Sequence, residues 1–345
     1  MHARHGTGVA TLKFLSILLF FVLFLAAVGG YLVLAPYGPS SETFVDITPG
    51  TGSTTIAAQL QHGGIVRSQY AFDAFRLVRS LQGKAGTLKA GEYRFDHTAS
   101  LPEIYARLVR GDVYTIALTI PEGFNLFDIS QAVQAAGLGS REAFLAAARE
   151  HTELIGAWSQ GSHPASLEGY LFPDTYRFSR HATPLQMLTA MVRRFRQATL
   201  PLGLNPEQTP EIARIVTMAS LIEKEVSQDA ERPLVAGVFV NRLEKNMPLA
   251  TDPTVIYAAL LDGRWRGTIY ASDLQSPSPY NTYRHTGLPP GPICSPGIAA
   301  LRAAISPAHT DYLYFVSDSA GHSRFSATLK EHAEQVQSYR QAQNH

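Results

Sequence analysis

The sequence predicts an α+β protein with a single N-terminal transmembrane helix, small α+β modules behind it, and an α+β domain at the C-terminal end. Three observations carry that reading. Phe14 to Ala35, "FLSILLFFVLFLAAVGGYLVLA", contains no charge. A strand-helix-helix-strand grammar follows and begins a second time further on, before a series of longer helices. At 345 residues the chain can also build one to three proper cores.

The apolar run of about 22 residues is enough to span a hydrocarbon layer of about 30 Å as a helix. A cleaved signal peptide has a shorter apolar region and an A-x-A-like exit. This run instead ends in "GGYLVLAPYGP" and reads as an uncleaved anchor, residues 14–35, behind a short N-terminus, residues 1–13. Arg4 and Lys13 precede it, whereas the first charges after it are Glu42 and Asp46. The positive-inside rule then puts the N-terminus in the cytoplasm and the rest outside. In a bacterium that is a single-pass protein of the plasma (inner) membrane, with its bulk periplasmic or extracellular.

Tyr37 to Glu42, "YGPSSE", has linker composition. Thr43 to Phe75 starts as an alternating strand, turns at Pro49-Gly50, and continues as a helix that Ser53 or Thr54 can cap; a second helix follows Ser68. "LKAGEYRF", Leu88 to Phe95, reads as the closing strand. Tyr114 to Ala147 repeats the order about 72 residues later, with a turn at Pro121-Glu122-Gly123 and helices from about Leu126 and after Ser140. The layout of residues 43–113 is that of LysM-type glycan-binding modules, and equally of a plain α+β spacer. Residues 114–205 form a second α+β module and connecting segment. In it, "SLEGYLFPDTYRF" sets Glu168 and Asp174 among aromatic residues, as in a sugar-binding wall or a packed junction.

Residues 206–345 make the last domain. Helices are expected over about Glu211–Val226, Glu231–Lys245 with Pro233 in the first turn, from Asp252-Pro253, and over Ile298–Ile305. Ser278 to Gly297 is a loop with five prolines and three glycines, long and stiff enough to be functional. A hairpin turning at Gly321 and a polar helix close the chain.

Several chemistries fail on composition or spacing. A net charge of +1 without basic blocks gives no sign of nucleic-acid binding. The lone Cys294 excludes a disulfide framework and a Cys-rich zinc site, and reads as a small buried thiol. H-E-x-x-H, G-x-S-x-G and phosphate-binding glycine loops are absent, and Ser220 and Lys224 miss the S-x-x-K spacing. His285, His309 and His322 are scattered, so neither metal nor cofactor is expected. Carboxylates remain. With Ile215 at zero and about 100° per residue, Glu225 falls near 280° and Glu223 near 80°, flanking the apolar stripe on opposite sides. Thr217, Ser220 and Lys224 take the opposite, wet face. A carboxyl among apolar side chains holds its proton above the usual pKa and can act as a general acid. The wheel does not choose between the two glutamates, and two surface glutamates on an amphipathic helix satisfy it as well.

Taken together, "ASLIEKEV", "VFVNRLEKNMPLATDPTVIY", "SPYNTYRHTGLPPGPICSPG", "DYLYFV" and "LEGYLFPDTY" resemble the endolytic murein transglycosylase (YceG-like, MltG) family, from the anchor to about Tyr339. The resemblance implies a membrane-anchored lyase that cuts nascent peptidoglycan strands between N-acetylmuramic acid and N-acetylglucosamine, leaves 1,6-anhydro ends and terminates elongation. It implies LysM-like N-terminal modules and peptidoglycan synthases of the elongation or division machinery as partners. It matches the catalytic glutamate to Glu225, with Glu223 as the fallback. It puts Asn241, Tyr280, Asn281, Thr282 and Tyr283 around the cleft. Asp252 is a further candidate that can instead cap its helix, and Glu168 and Asp174 are weaker ones. The rival expectations are a non-catalytic wall-binding scaffold and a hydrolase that yields reducing ends.

Overall fold

The computed structural model describes residues 6–159, 164–207, 209, 211–318 and 322–343. They form two compact units, Met1–Thr115 and Ile116–His345.

The first unit begins with α1 (Gly6–Leu34). Its stretch Leu12–Leu34 is long and apolar enough to cross a membrane, and none of it is buried in protein. Then come β1 (Thr43–Ile47), α2 (Ser53–His62), α3 (Gln69–Leu81), β2 (Gly91–Phe95) and α4 (Leu101–Arg110). The two strands pair antiparallel, Thr43 opposite Phe95 and Ile47 opposite Gly91. Strand alternation sends Val45, Ile47, Tyr93 and Phe95 inward, where they meet Ile56, Leu60, Phe72, Ile104 and Leu108 from the helices. Ser68 caps α3 as its position predicts, its hydroxyl accepting the Ala71 N–H. The expected cap of α2 is corrected. Gly52 occupies the N-cap position without a side-chain bond, and Ser53 is already helical. Tyr37, at the start of the stretch with linker composition, is fastened: it exchanges two 3.0 Å backbone bonds with Ala99. The Arg67 guanidinium lies over the rings of Tyr31 and Tyr37 at 4.8 and 4.7 Å and donates to the Pro36 carbonyl at 3.2 Å.

The second unit starts with β3 (Ile116–Ile120), α5 (Leu126–Ala135), α6 (Arg141–Glu150), a short α7 (Gly156–Ser159), β4 (Asp174–Phe178) and α8 (Pro184–Thr199). Its strands also pair antiparallel, Ile116 opposite Phe178. Strand, two helices, strand, helix thus recurs in the order of the first unit, with α7 inserted. Asn125 and Asp128 form a capping box on α5, and the Ser140 hydroxyl caps α6. The sequence reading passed over α8, although Thr183 and Gln186 box its start in the same way.

There follow α9 (Ile212–Glu225), α10 (Arg232–Glu244), α11 (Asp252–Leu261), a short α12 (Ala271–Leu274), α13 (Ile298–Ile305), the hairpin strands β5 (Tyr314–Ser317) and β6 (Ser323–Ser326), and α14 (Leu329–Gln343). The hairpin pairs as expected, and its turn at Gly321 lies outside the described residues. One core runs through the unit, from Leu118 and Phe144 through Phe195, Leu221 and Phe239 to Leu301.

Helix α9 is the centre of this core, and here the wheel needs correction. Thr217 and Ser220, expected on a wet face, are buried. The proline-rich loop covers Ser220, whose hydroxyl accepts the Ile293 N–H at 3.0 Å and whose carbonyl accepts the buried Cys294 thiol, while the Thr217 hydroxyl donates to the Ala213 carbonyl at 2.8 Å. Small hydroxyls on a helix can line a buried loop contact as readily as they face water, and periodicity does not separate the two.

Candidate active site

The C-terminal turn of α9 carries Glu223, Lys224 and Glu225, and each has a different environment. The Glu223 side chain is 6% exposed and that of Arg232 is 5% exposed, with 3.1 Å between Glu223 Oε1 and Arg232 Nη2. Glu223 Oε2 accepts the Gly297 N–H at 2.9 Å, while Arg232 Nε donates to Asp229 at 3.0 Å. Both oxygens of Glu223 therefore receive hydrogen bonds, one of them from a guanidinium. Lys224 is exposed, and its ammonium donates to the Gly123 carbonyl at 3.3 Å.

Glu225 is the last residue of the helix, and Val226 is already extended, φ −136° and ψ 138°. Its residue is half-buried, and among the described residues no group hydrogen-bonds its carboxyl. Loss of hydration pushes that carboxyl up to about 7; the Asp252 charge adds to the rise and the Arg242 charge opposes it. Its place at the negative end of the helix dipole disfavours the carboxylate further.

Arg242 is the residue that sequence reasoning missed here. It sits on α10 beside Asn241, and its guanidinium is held by three carbonyls: Leu313 at 2.7 Å, Leu249 at 2.8 Å and Pro248 at 3.2 Å. It also lies over the Tyr314 ring at 5.3 Å. A cation fixed this firmly supplies a standing positive field near Glu225. No helical period marks such an arginine, because its partners are backbone carbonyls from distant segments.

The resemblance set divides by geometry. Asp252 is the first residue of α11, and the expectation that it caps that helix is corrected: Thr251 takes the N-cap position, and Asp252 Oδ1 accepts the Tyr283 hydroxyl at 2.7 Å. Tyr283 is 41% exposed, and both Glu225 and Arg242 act on it electrostatically. Glu225, Asp252, Tyr283 and Arg242 thus form one electrostatic group with an open aromatic face. Asn281 and Thr282, next in the loop, are buried. Asn281 Nδ2 donates to the Leu274 and Ser276 carbonyls at 3.0 and 2.9 Å, and its Oδ1 accepts the Tyr283 N–H at 3.1 Å. The Thr282 hydroxyl accepts the Thr251 N–H at 3.0 Å and pairs with Thr254 at 2.8 Å. These two side chains shape the loop that presents Tyr283.

The remaining candidates are held by other partners in the unit. Tyr280 packs on Tyr257 at 5.1 Å between ring centres, and the Tyr257 hydroxyl donates to Glu168 at 3.0 Å. Glu168 is buried, accepts the Leu126 N–H at the start of α5, and is raised to about 7 by desolvation. Its bonds join the Leu167–Phe172 segment to α5 and α11. Asn241 Nδ2 donates to the Thr310 and Tyr312 carbonyls at 2.7 and 2.9 Å. Asp174 pairs with Arg194 at 2.5 Å. Among the described residues no group of three or more His, Cys, Asp or Glu is placed to hold a metal ion.

Comparison with known proteins agrees with the motifs. The chain is 34% identical over 333 residues to an endolytic murein transglycosylase of Bacillus subtilis (strain 168), covering 91% of this chain and 90% of that protein. An endolytic murein transglycosylase of Streptococcus pneumoniae (strain D39) is 31% identical over 343 residues, covering 86% of this chain and 60% of the streptococcal protein. The crystal structure of a yceG-like protein from Listeria monocytogenes superposes with a TM-score of 0.55 at 30% identity, covering 86% of this chain and 99% of that one. Residues 45–338, which include α9, α10 and the proline-rich loop, match the YceG-like family, and the chain belongs to that family.

Proposed function

We propose that this chain is a membrane-anchored endolytic murein transglycosylase, a lyase that cuts peptidoglycan glycan strands internally, with Glu225 as its acid and base. The observation that carries the reading is the contrast on α9: a desolvated Glu225 raised to about 7, two residues from a Glu223 bound by Arg232 and Gly297. Near neutral pH an appreciable share of Glu225 carries a proton it can donate, whereas the carboxyl of Glu223 is engaged by Arg232 and the Gly297 N–H.

The chemistry follows in two proton transfers. Glu225 protonates the glycosidic oxygen as the bond to the anomeric carbon of N-acetylmuramic acid breaks and that sugar gains oxocarbenium character. The resulting carboxylate is steadied by the positive field of Arg242. It then takes the proton of the sugar's own 6-hydroxyl as that oxygen bonds to the anomeric carbon. One glycosidic bond breaks, one intramolecular ether bond forms, no water is consumed, and Glu225 ends protonated. An internal nucleophile needs no second carboxylate to position water. Asp252 acts through its charge and through Tyr283, whose exposed ring offers a stacking face to a sugar.

Leu12–Leu34 is the anchor, in the plasma membrane, with the residues after it on the outer side. The strand-helix-helix-strand segments are LysM-like and help to hold the glycan; in the first unit Thr51, Ser53, Arg76 and Thr87 line a polar groove suited to it. Peptidoglycan synthases supply the nascent strand.

The test is digestion of uncrosslinked glycan strands by the full chain in detergent micelles, with products weighed by mass spectrometry. Internal fragments ending in 1,6-anhydro sugar support the reading. Reducing ends would make the protein a hydrolase, and uncut strands would make it a binding scaffold.

A further inference from the structure

Helix α3 has two apolar stripes, and its own unit uses only one. Phe72 is fully buried and Phe75 packs beside it. On the opposite side Tyr70 is 76% exposed, Leu77 60%, Val78 49% and Leu81 79%. With Tyr70 at zero, Ala74, Leu77, Val78 and Leu81 all fall within an arc of about 100°, the width of a helix face meant for burial. A face of this kind left to water calls for a partner.

Its position names the partner. An open apolar groove runs between α3 and the end of α1, lined by Gly29, Gly30 and Leu34 on one side and Ala74, Phe75 and Val78 on the other. The outer stripe of α3 is therefore continuous with the apolar surface of Leu12–Leu34. Those 23 residues reach about 34 Å at 1.5 Å per residue, against a hydrocarbon layer of about 30 Å, so the end of the span at Leu32–Leu34 stands at the acyl-headgroup boundary, with Gly29 and Gly30 just below it. The junction does not let α3 swing away, because Arg67 is clamped between Tyr31 and Tyr37, and Tyr37 is bridged to Ala99. Tyr31, Tyr37 and Tyr70 gather at this level, as aromatic residues do at membrane interfaces. Lys84, exposed just beyond the last apolar residue of α3, suits a lipid phosphate.

We propose that the outer face of α3 (Tyr70, Leu77, Val78 and Leu81) lies in the bilayer interface beside the span, so that the first unit rests on the membrane surface. Lipid acyl chains fill the groove between α1 and α3. The inference rests on the reading of Leu12–Leu34 as a membrane anchor, and its test separates the two.

Full-length variants Leu19→Cys, Leu77→Cys, Leu81→Cys and Asp46→Cys are labelled with an environment-sensitive fluorophore; the buried Cys294 stays unlabelled in the folded protein. They are reconstituted into phosphatidylethanolamine/phosphatidylglycerol vesicles containing spin-labelled lipid. Leu19 lies within the span, and Asp46 is exposed on the side of β1 away from the core. The expected result is a blue shift and loss of fluorescence at positions 77 and 81 approaching those at 19, with little change at 46. Quenching at 19 with none at 77 and 81 overturns the inference and leaves the anchor standing. No quenching at 19 removes the anchor and the inference together. Disulfide-linked dimers of unlabelled Leu81→Cys, formed in place of quenching, would assign the face to a second copy of the chain.

Discussion

Glu223 and Glu225 share the last turn of α9 and have opposite surroundings: Glu223 lies 3.1 Å from Arg232 and accepts the Gly297 N–H at 2.9 Å, while burial and the Asp252 charge raise Glu225 to about 7. A spacing of two residues turns the side chains about 200° apart on a helix. One carboxyl therefore meets the start of α10 and the N-terminus of α13, and the other feels the charges of Arg242 and Asp252. One helical turn thus holds one carboxyl in a buried pair with Arg232 and leaves the other desolvated.

Replacing the donor leads to the first prediction. Glu225→Gln keeps the shape and removes the proton, so cleavage should fall by about 10²- to 10⁴-fold with the fold intact. Stability gives an independent readout. The folded-state pKa of Glu225, about 7, lies above its ordinary 4.5. Between those values the folded state binds more protons than the unfolded one, so this group's contribution to stability falls as pH rises through that window. Melting temperatures measured from pH 4 to 8 should show Glu225→Gln gaining on the wild type as pH rises. A constant difference across that range would mean that Glu225 is not desolvated.

The second prediction concerns Glu223. Glu223→Gln leaves Arg232 buried without its main countercharge, and breaking such a pair costs about 3–5 kcal/mol. Urea unfolding should register that loss, whereas the fraction that remains folded should still cleave glycan. Unchanged stability with cleavage abolished would exchange the roles of the two glutamates.

Sequence alone exposed most of the skeleton and part of the site, for identifiable reasons. Local chemistry specifies local structure: the helices that follow Ser68 and Ser140, Pro233 in the first turn of α10 and the span of α13 all appear as read. Both glutamates fell on the margins of the α9 stripe, but their difference depends on Arg232, Gly297, Asp252 and Arg242, which arrive from other segments. The same limit hid Arg242, whose partners are carbonyls at Pro248, Leu249 and Leu313. It also buried Thr217 and Ser220, expected on a wet face, and made Ser220 the seat of the proline-rich loop.

That loop is the subject of the third prediction. Asn281, itself fully buried, donates to two carbonyls and accepts the Tyr283 N–H. Asn281→Ala orphans those groups, at about 1–3 kcal/mol for each buried group left unsatisfied. The damage should appear at Tyr283, which the loop presents beside Asp252. KM for glycan strands should therefore rise more than kcat falls, and hydrogen exchange should quicken in residues 278–285. Equal loss in kcat with KM unchanged would separate Tyr283 from substrate binding.

The last prediction uses the electrostatic group as a dial. If Glu225 must begin protonated, kcat/KM should decline tenfold per pH unit above about 7, since that parameter reports the free enzyme. Asp252 raises the Glu225 value through its negative charge, so Asp252→Asn should move this alkaline limb to lower pH. Asn still accepts the Tyr283 hydroxyl, which keeps the loop in place while the charge is removed. Tyr283→Phe, which leaves the charge and loses the hydrogen bond, is the matched control, and its limb should stay closer to that of the wild type. The measurement is a pH profile of glycan cleavage for the three proteins at fixed ionic strength, because part of the interaction crosses solvent and is screened. A limb that moves to higher pH in Asp252→Asn, or does not move, would remove Asp252 from the control of Glu225.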